Sequence, residues 1–299
     1  MKNTLHKSLL FFLLILVFSC KEETKNEEKE TAIKSAVSEN YNISILVDLS
    51  DRISTKKNPN PTMEFYQRDL GYIKSVSEAF SQHLKTKRMR QIDDKMQLFF
   101  NPEPENPEIN SIANQLRITV NKDNASKKLL NSISDTYAVK TTTIYESAIK
   151  DDNYVGSDIW NFFDSKVTDQ CIEKGYRNIL VILTDGYIFY EGSQIKNSSL
   201  SNYLTPQLIK QNGLNTNDWK KKIEKENFGF IKSDHDLSNL EVLVLGINPS
   251  KNNPFEEKVI KAYWTKWLSE MNVKHFEIKN ADLPSNMDKI IKDFILHTN

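Results

Sequence analysis

The chain has 299 residues, of which 38% are hydrophobic and 27% charged, a balance that suits one globular domain of ordinary size with appendages. Forty basic residues offset forty acidic ones, so the basic excess that accompanies nucleic-acid binding is absent and no nucleic-acid partner is expected. Only eight glycines are present, and neither GxxxxGK(S/T) nor GxGxxG occurs, which excludes the common phosphate-cradling loops.

The chain opens with "MKNTLHKSLLFFLLILVFSC". Lys2 and Lys7 precede an apolar run, Leu9 to Phe18, that has the length of a signal-peptide core and is too short to span a bilayer by itself. The ending "VFSC" resembles a bacterial lipobox, with Phe18 as a bulky departure. The resemblance implies a signal peptide over residues 1–19, acylation of Cys20 (palmitate among the chains), and a lipid anchor as the only membrane contact. Several acyl chains hold a protein stably where one would not. The implied location is the cell envelope of a Gram-negative bacterium, at the outer membrane, on its periplasmic face or the cell surface. An ordinary secretory signal is the alternative. Residues 20–40 are charged and lack aromatic side chains, so they are expected to form a disordered tether. The other cysteine, Cys171, precedes an apolar strand and reads as a buried, inert thiol.

From residue 41 to the C-terminus, strands and helices alternate. "ISILVDLS" is an apolar run of the kind a doubly buried strand needs. Tyr66, Leu70, Ile73, Val76, Phe80 and Leu84 then mark one stripe of a long helix. "KMQLFF" is a second strand, a short strand is expected around Leu116 to Val120, and a helix around Ala125 to Ile133. "TTTIYESAIKDD" is expected to open a further helix, its threonines serving as caps, that runs on toward Phe163. "RNILVILTDG" and "LEVLVLGIN" are strong strands, the second followed by helical spacing from Phe255 to Met271. "VKHFEIK" and "MDKIIKDFILH" close the pattern. Strands separated by long helices imply parallel pairing, hence an α/β fold with a doubly wound, mostly parallel sheet and helices on both faces. Residues 187–238 form a long insertion.

In such sheets ligands bind beyond the carboxyl ends of the strands, where strand order reverses. Three places there carry oxygen donors: "DLSDR", "TTTIYESAI" and "LTDG". In this order they resemble the von Willebrand factor A (vWA) family, whose metal-ion-dependent adhesion site reads Asp-x-Ser-x-Ser, a loop threonine, and an aspartate in Thr-Asp-Gly. The resemblance covers residue 42 to the C-terminus. It implies Asp48, Ser50, Thr143 and Asp185 as ligands of Mg²⁺, a hard cation that takes oxygen donors and keeps several waters. It also implies a protein partner that offers a carboxylate to the open coordination position.

Arg52 departs from the family pattern, which has serine there. A guanidinium has donors only and cannot ligate a cation. Three arrangements follow: Arg52 turns to solvent and leaves a weaker site; it replaces the metal; or a neighbour, Asp51 or Ser54, substitutes as ligand. Tyr187, Phe189 and Tyr190, which follow Asp185 directly, would form an aromatic rim for a partner if exposed; the alternative packs them on the insertion, against Trp219. The functional expectation is a membrane-anchored, non-catalytic adhesion or assembly module. A structural lipoprotein with a metal-free site and a metal-dependent hydrolase are the alternatives, the last without an evident base or nucleophile.

Overall fold

The run Asn40–Val47 forms strand β1, buried from Tyr41 onward, and the sheet is built outward from it. The computed structural model describes residues 39–297. The expected signal segment, Cys20 and nearly all of the tether lie outside the described residues. After β1 come α1 (Phe65–Thr86), β2 (Asp93–Phe99), α2 (Pro107–Asn114), β3 (Ile118–Asn121) and α3 (Lys127–Asp151). Next are β4 (Gly156–Ser157), α4 (Ile159–Ser165), α5 (Val167–Cys171) and β5 (Tyr176–Leu183). The region expected as an insertion contains β6 (Phe189–Tyr190), β7 (Lys196–Asn197), β8 (Leu200–Ser201), α6 (Pro206–Gln211), α7 (Trp219–Glu226) and β9 (Gly229–Phe230). The chain ends with β10 (Leu240–Ile247), α8 (Glu256–Glu270), β11 (His275–Asn280) and α9 (Pro284–Leu296).

Six strands form the central sheet in the order β11-β10-β5-β1-β2-β3. All neighbouring pairs are parallel except β2–β3. The sheet is thus mostly parallel, as expected, with β3 as its one antiparallel strand. An antiparallel return needs no crossover to the opposite end of the sheet, so the short helix α2 suffices as its connection. The fold is α/β, with helices on both faces. Alternate strand residues point to opposite sides: Ile43, Ile45, Ile179 and Val181 pack with α1, α2, α3 and α9, whereas Leu46, Leu180, Ile182, Val242 and Val244 pack with α4 to α8. Among the described residues no helix is long and apolar enough to cross a membrane.

Strand order reverses between β1 and β5. Val47 pairs with Leu183 at the end of both strands, and the Asp48 amide still donates to the Leu183 carbonyl at 3.0 Å. Asp48 and Thr184 therefore leave the sheet side by side.

The region from 127 to 163 differs from expectation. One helix, α3, runs unbroken from Lys127 through the threonines to Asp151, and Ser126 caps it by accepting from the Leu129 amide at 3.2 Å. The threonines cap nothing. Their hydroxyls donate one turn back inside the helix, Thr141 to Tyr137 O (2.8 Å), Thr142 to Ala138 O (2.8 Å) and Thr143 to Val139 O (3.2 Å). Such back-bonding lets threonine satisfy its hydroxyl without ending a helix. Nor does the helix continue to Phe163: it stops at Asp152 in the left-handed conformation (φ 50°), and a separate helix, α4, begins at Ile159. Asp158 caps α4 by accepting from the Asn161 amide at 3.1 Å.

Candidate functional site

Asp48 is buried behind the carboxyl edge of β1, and both of its oxygens are engaged. Oδ1 accepts from the Ser50 amide (2.8 Å) and Oδ2 from the Thr184 hydroxyl (3.0 Å). Thr184 in turn accepts from the Gly186 amide at 3.1 Å, which ties the two strand ends together. Gly186 is required at its position. Its φ is +97°, and a Cβ there would lie 2.6 Å from Ile260 Cγ2 and 2.7 Å from Ile247 Cδ1. Trp264 of α8 fixes the same turn by donating to the Gly186 carbonyl at 2.9 Å.

Asp185 keeps part of its surface open although protein surrounds it densely. Burial pushes its carboxyl up to about 7, the negative charge of Asp48 adds to the shift, and Arg52 opposes it. Its Oδ1 accepts from the Tyr187 amide at 3.1 Å. Asp185 lines an open cleft of about 720 Å³ together with Ser50, Asp51 and Ser157, with Tyr187, Phe189 and Tyr203 among the other walls. Asp51 is exposed and carries its own counter-ion, Lys57 Nζ at 3.3 Å.

Thr143, the expected loop donor, is not part of this group. It is absent from the cleft wall; its hydroxyl donates to Val139 O within α3, and two residues of helix turn it roughly 200° away from Tyr145, the residue of α3 whose hydroxyl reaches Asp69. The residue that stands with Ser50 and Asp185 instead is Ser157, which the sequence reasoning passed over. Ser157 lies in the short β4 ladder with Phe189 (Gly156 pairs with Tyr190), so the start of the insertion holds it in place. Gly156 makes that contact feasible: at φ +92°, a Cβ would lie 2.4 Å from the Phe189 carbonyl oxygen. The available signal was "GSDIW", a glycine and serine before a capping aspartate and an apolar helical run. It was hidden by extending the preceding helix across it.

Arg52 turns inward. Its side chain is 5% exposed, and its Nε donates to the Asp48 carbonyl at 3.0 Å. Nη2 donates to the Leu183 carbonyl (3.1 Å) and to Asp69 Oδ2 of α1 (2.5 Å). Asp69 also accepts from the Tyr145 hydroxyl at 2.8 Å. Burial pushes the Asp69 carboxyl up, while Arg52 and the Tyr145 bond oppose the shift. The adjacent carboxylates push the guanidinium up against its own burial. Because a guanidinium stays charged in proteins, the carboxylate bonded to it at this distance carries the compensating negative charge. The solvent-facing arrangement is thereby overturned, since Arg52 is buried. Ser54, also considered as a substitute donor, is buried, and its hydroxyl accepts from the Lys57 amide at 3.3 Å.

Of the three aromatic residues expected at the rim, Tyr187 and Phe189 line the cleft and Tyr190 does not. Tyr187 is half-buried: its hydroxyl donates to Glu256 Oε1 (2.5 Å) and accepts from the Ser250 amide (3.0 Å). Phe189 is 40% exposed. The insertion supplies Tyr203 and the start of α6 to the same wall. Cys171, remote from the cleft, is buried with its thiol pushed up to about 12, as an inert core thiol should be.

The donor set fits a hard cation by its chemistry. Ser50, Ser157 and Asp185, all with oxygen-bearing side chains, line one cleft, with Asp48 immediately behind. The Ser50 and Ser157 hydroxyls donate to no other group among the described residues. Mg²⁺ takes such oxygens, one or two of them carboxylates, and completes its shell with water. Among the described residues no cluster of three or more His, Cys, Asp and Glu side chains suits a metal, so any cation here depends on the serine hydroxyls. No protein-family model matches the chain, and a search of curated proteins finds no match.

Proposed function

We propose that the chain is a vWA-like, non-catalytic binding module, lipid-anchored to the cell envelope through Cys20, that captures a protein partner in the cleft at the carboxyl edge of its sheet. The observation that carries this reading is the convergence of Ser50, Ser157 and Asp185 on one open cleft where strand order reverses, walled by Phe189, Tyr187 and Tyr203. The single antiparallel strand β3 at the sheet edge is compatible with the vWA resemblance. Mg²⁺ would be held by Asp185, Ser50 and Ser157, with Asp48 behind them. When bound, it would offer a coordination position to a carboxylate of the partner. The chain's own residues supply the rest: Phe189 gives exposed apolar surface, and Tyr187 is pinned by Glu256 so that its ring is presented without loss of freedom on binding.

A structural role with a metal-free site is the second reading. It is favoured by the proximity of Arg52 Nε to Asp48 Oδ2 (3.5 Å), which lessens the pull of Asp48 on a cation. A hydrolase is the weakest reading, because no histidine, cysteine or lysine lines the cleft among the described residues. The test is a pull-down with the full chain from envelope extracts, with and without chelator, repeated with Phe189→Ala and Asp185→Ala. A protein captured by wild type and lost in both variants supports the binding module. Capture that is unchanged in both variants removes the cleft from the function.

A further inference from the structure

Position 52 departs from the family pattern by a full positive charge, and the structure contains a partner for that charge. Two carboxylates, Asp48 and Asp69, meet one guanidinium at the carboxyl edge of β1, and Asp185 follows the neighbouring strand β5. Asp69 comes from α1, one of the elements packed on that face, and no motif marks it in the sequence. It is 1% exposed, and both of its contacts, Arg52 Nη2 at 2.5 Å and the Tyr145 hydroxyl at 2.8 Å, are themselves buried. Arg52 is absent from the cleft wall, while Ser50 two residues earlier is present on it. The guanidinium is thus drawn beneath the cleft, toward α1. With Asp69 taking up the charge of Arg52, the adjoining Asp48 and Asp185 carboxyls keep a net negative balance, which a divalent cation would offset.

We propose that Asp69 is a positioning residue that keeps the cleft open to a divalent cation, by binding Arg52 beneath the site and cancelling the charge that would otherwise repel the metal. This rests on the reading of the cleft as a cation site. Arg52 is then neither a metal substitute nor a bystander. It is half of an internal ion pair that braces α1 and α3 against the end of β1, through Asp69 and Tyr145. Removing either half changes the charge under the cleft by one unit, in opposite directions, and removing both leaves it as it was.

The test is calorimetric titration of MnCl₂ into the full chain for wild type, Arg52→Gln, Asp69→Asn and the double variant, with circular dichroism to verify folding. The expected order is Arg52→Gln tightest, wild type and double variant equal, and Asp69→Asn weakest. Each single step should be about tenfold or more, as one charge a few ångströms from a divalent ion requires. Should Asp69→Asn not fold, the other three still decide: a double variant that binds as tightly as Arg52→Gln overturns the proposal, because Asp69 then compensates nothing. A folded Asp69→Asn with wild-type affinity overturns it as well. A silent wild type beside a binding Arg52→Gln also sinks it, while leaving the donor set intact. Silence in all four proteins overturns both the proposal and the cation reading beneath it.

Discussion

Ser157 and Thr143 show how one hydroxyl can line the cleft and another lie outside it for reasons of backbone alone. Thr143 fits the motif spacing, five residues before Ala148, yet it lies mid-helix with its hydroxyl bonded back to Val139 O and is absent from the cleft wall. Ser157 fits no motif spacing, yet a two-residue ladder with Phe189 delivers it to the cleft. The expected outcome follows from the donor count. Ser157→Ala should weaken Mn²⁺ binding by about tenfold or more, the size of loss typical when a metal site's support is removed. Thr143→Ala should leave binding unchanged, and calorimetry on both variants checks the contrast. A loss confined to Thr143→Ala would restore the original assignment.

At the scale of elements, the last helix is held by an interaction at the opposite end of the sheet from the cleft. Arg177, at the start of β5, is buried and forks onto Glu241 of β10, with Nη2 to Oε2 at 2.7 Å. The same guanidinium donates to the carbonyls of Ile295 (2.5 Å), Phe294 (2.8 Å) and His297 (3.2 Å). It thereby satisfies the orphaned carbonyls at the C-terminus of α9, where positive charge also suits the helix dipole. Breaking one side of a buried pair leaves the other charge uncompensated and costs about 3–5 kcal/mol. Arg177→Met should therefore lower thermal stability sharply and raise hydrogen exchange in α9 first, whereas α3 should exchange as before. Gly71 is a second fastening of the same helix: a Cβ there would lie 2.4 Å from Pro284 Cγ, so α1 and α9 approach each other only because position 71 has no side chain.

For the whole molecule, acid sensitivity should come from buried carboxylates remote from the cleft. Burial alone would raise Asp94, but donors from His83, Lys87 and the Tyr41 amide outweigh it and hold the carboxyl below its ordinary range. Glu241 is held down against its burial by Arg177 and Lys274 in the same way. A carboxyl whose folded pKa lies below its unfolded value contributes stability that is complete above the unfolded value. That stability is lost as pH falls through the folded one. With unfolded values of about 3.9 and 4.3, the contribution of these two groups should be flat above about pH 5 and decline below about pH 4. Asp94→Asn should lower the melting temperature at pH 7 and make the acid limb shallower; an unchanged acid limb would remove Asp94 from the account.

The long central strands and their order of appearance were legible in the sequence because each buried strand must be apolar along its length, and a run such as "RNILVILTDG", short and closed by Asp-Gly, fits that pattern. The placement of Asp48, Ser50 and Asp185 just beyond strand ends was legible for a related reason, since they stand directly after such runs and a strand end has little freedom in where it points. The direction of β3, the unbroken course of α3 and the identity of the third cleft donor were not legible. A threonine can cap a helix or bond back within it, and only the packing of α3 against α1 decides between the two. Arg52 marks the same boundary. Its charge could be read from the chain, but that charge is answered by Asp69, seventeen residues further along on a helix whose sequence carries no motif. Pairing across that separation is a property of the folded packing and of nothing local. The sequence determined which oxygens leave the central strands; the tertiary structure decided which hydroxyl joins them and where the guanidinium goes, because both depend on which helix faces the strand ends.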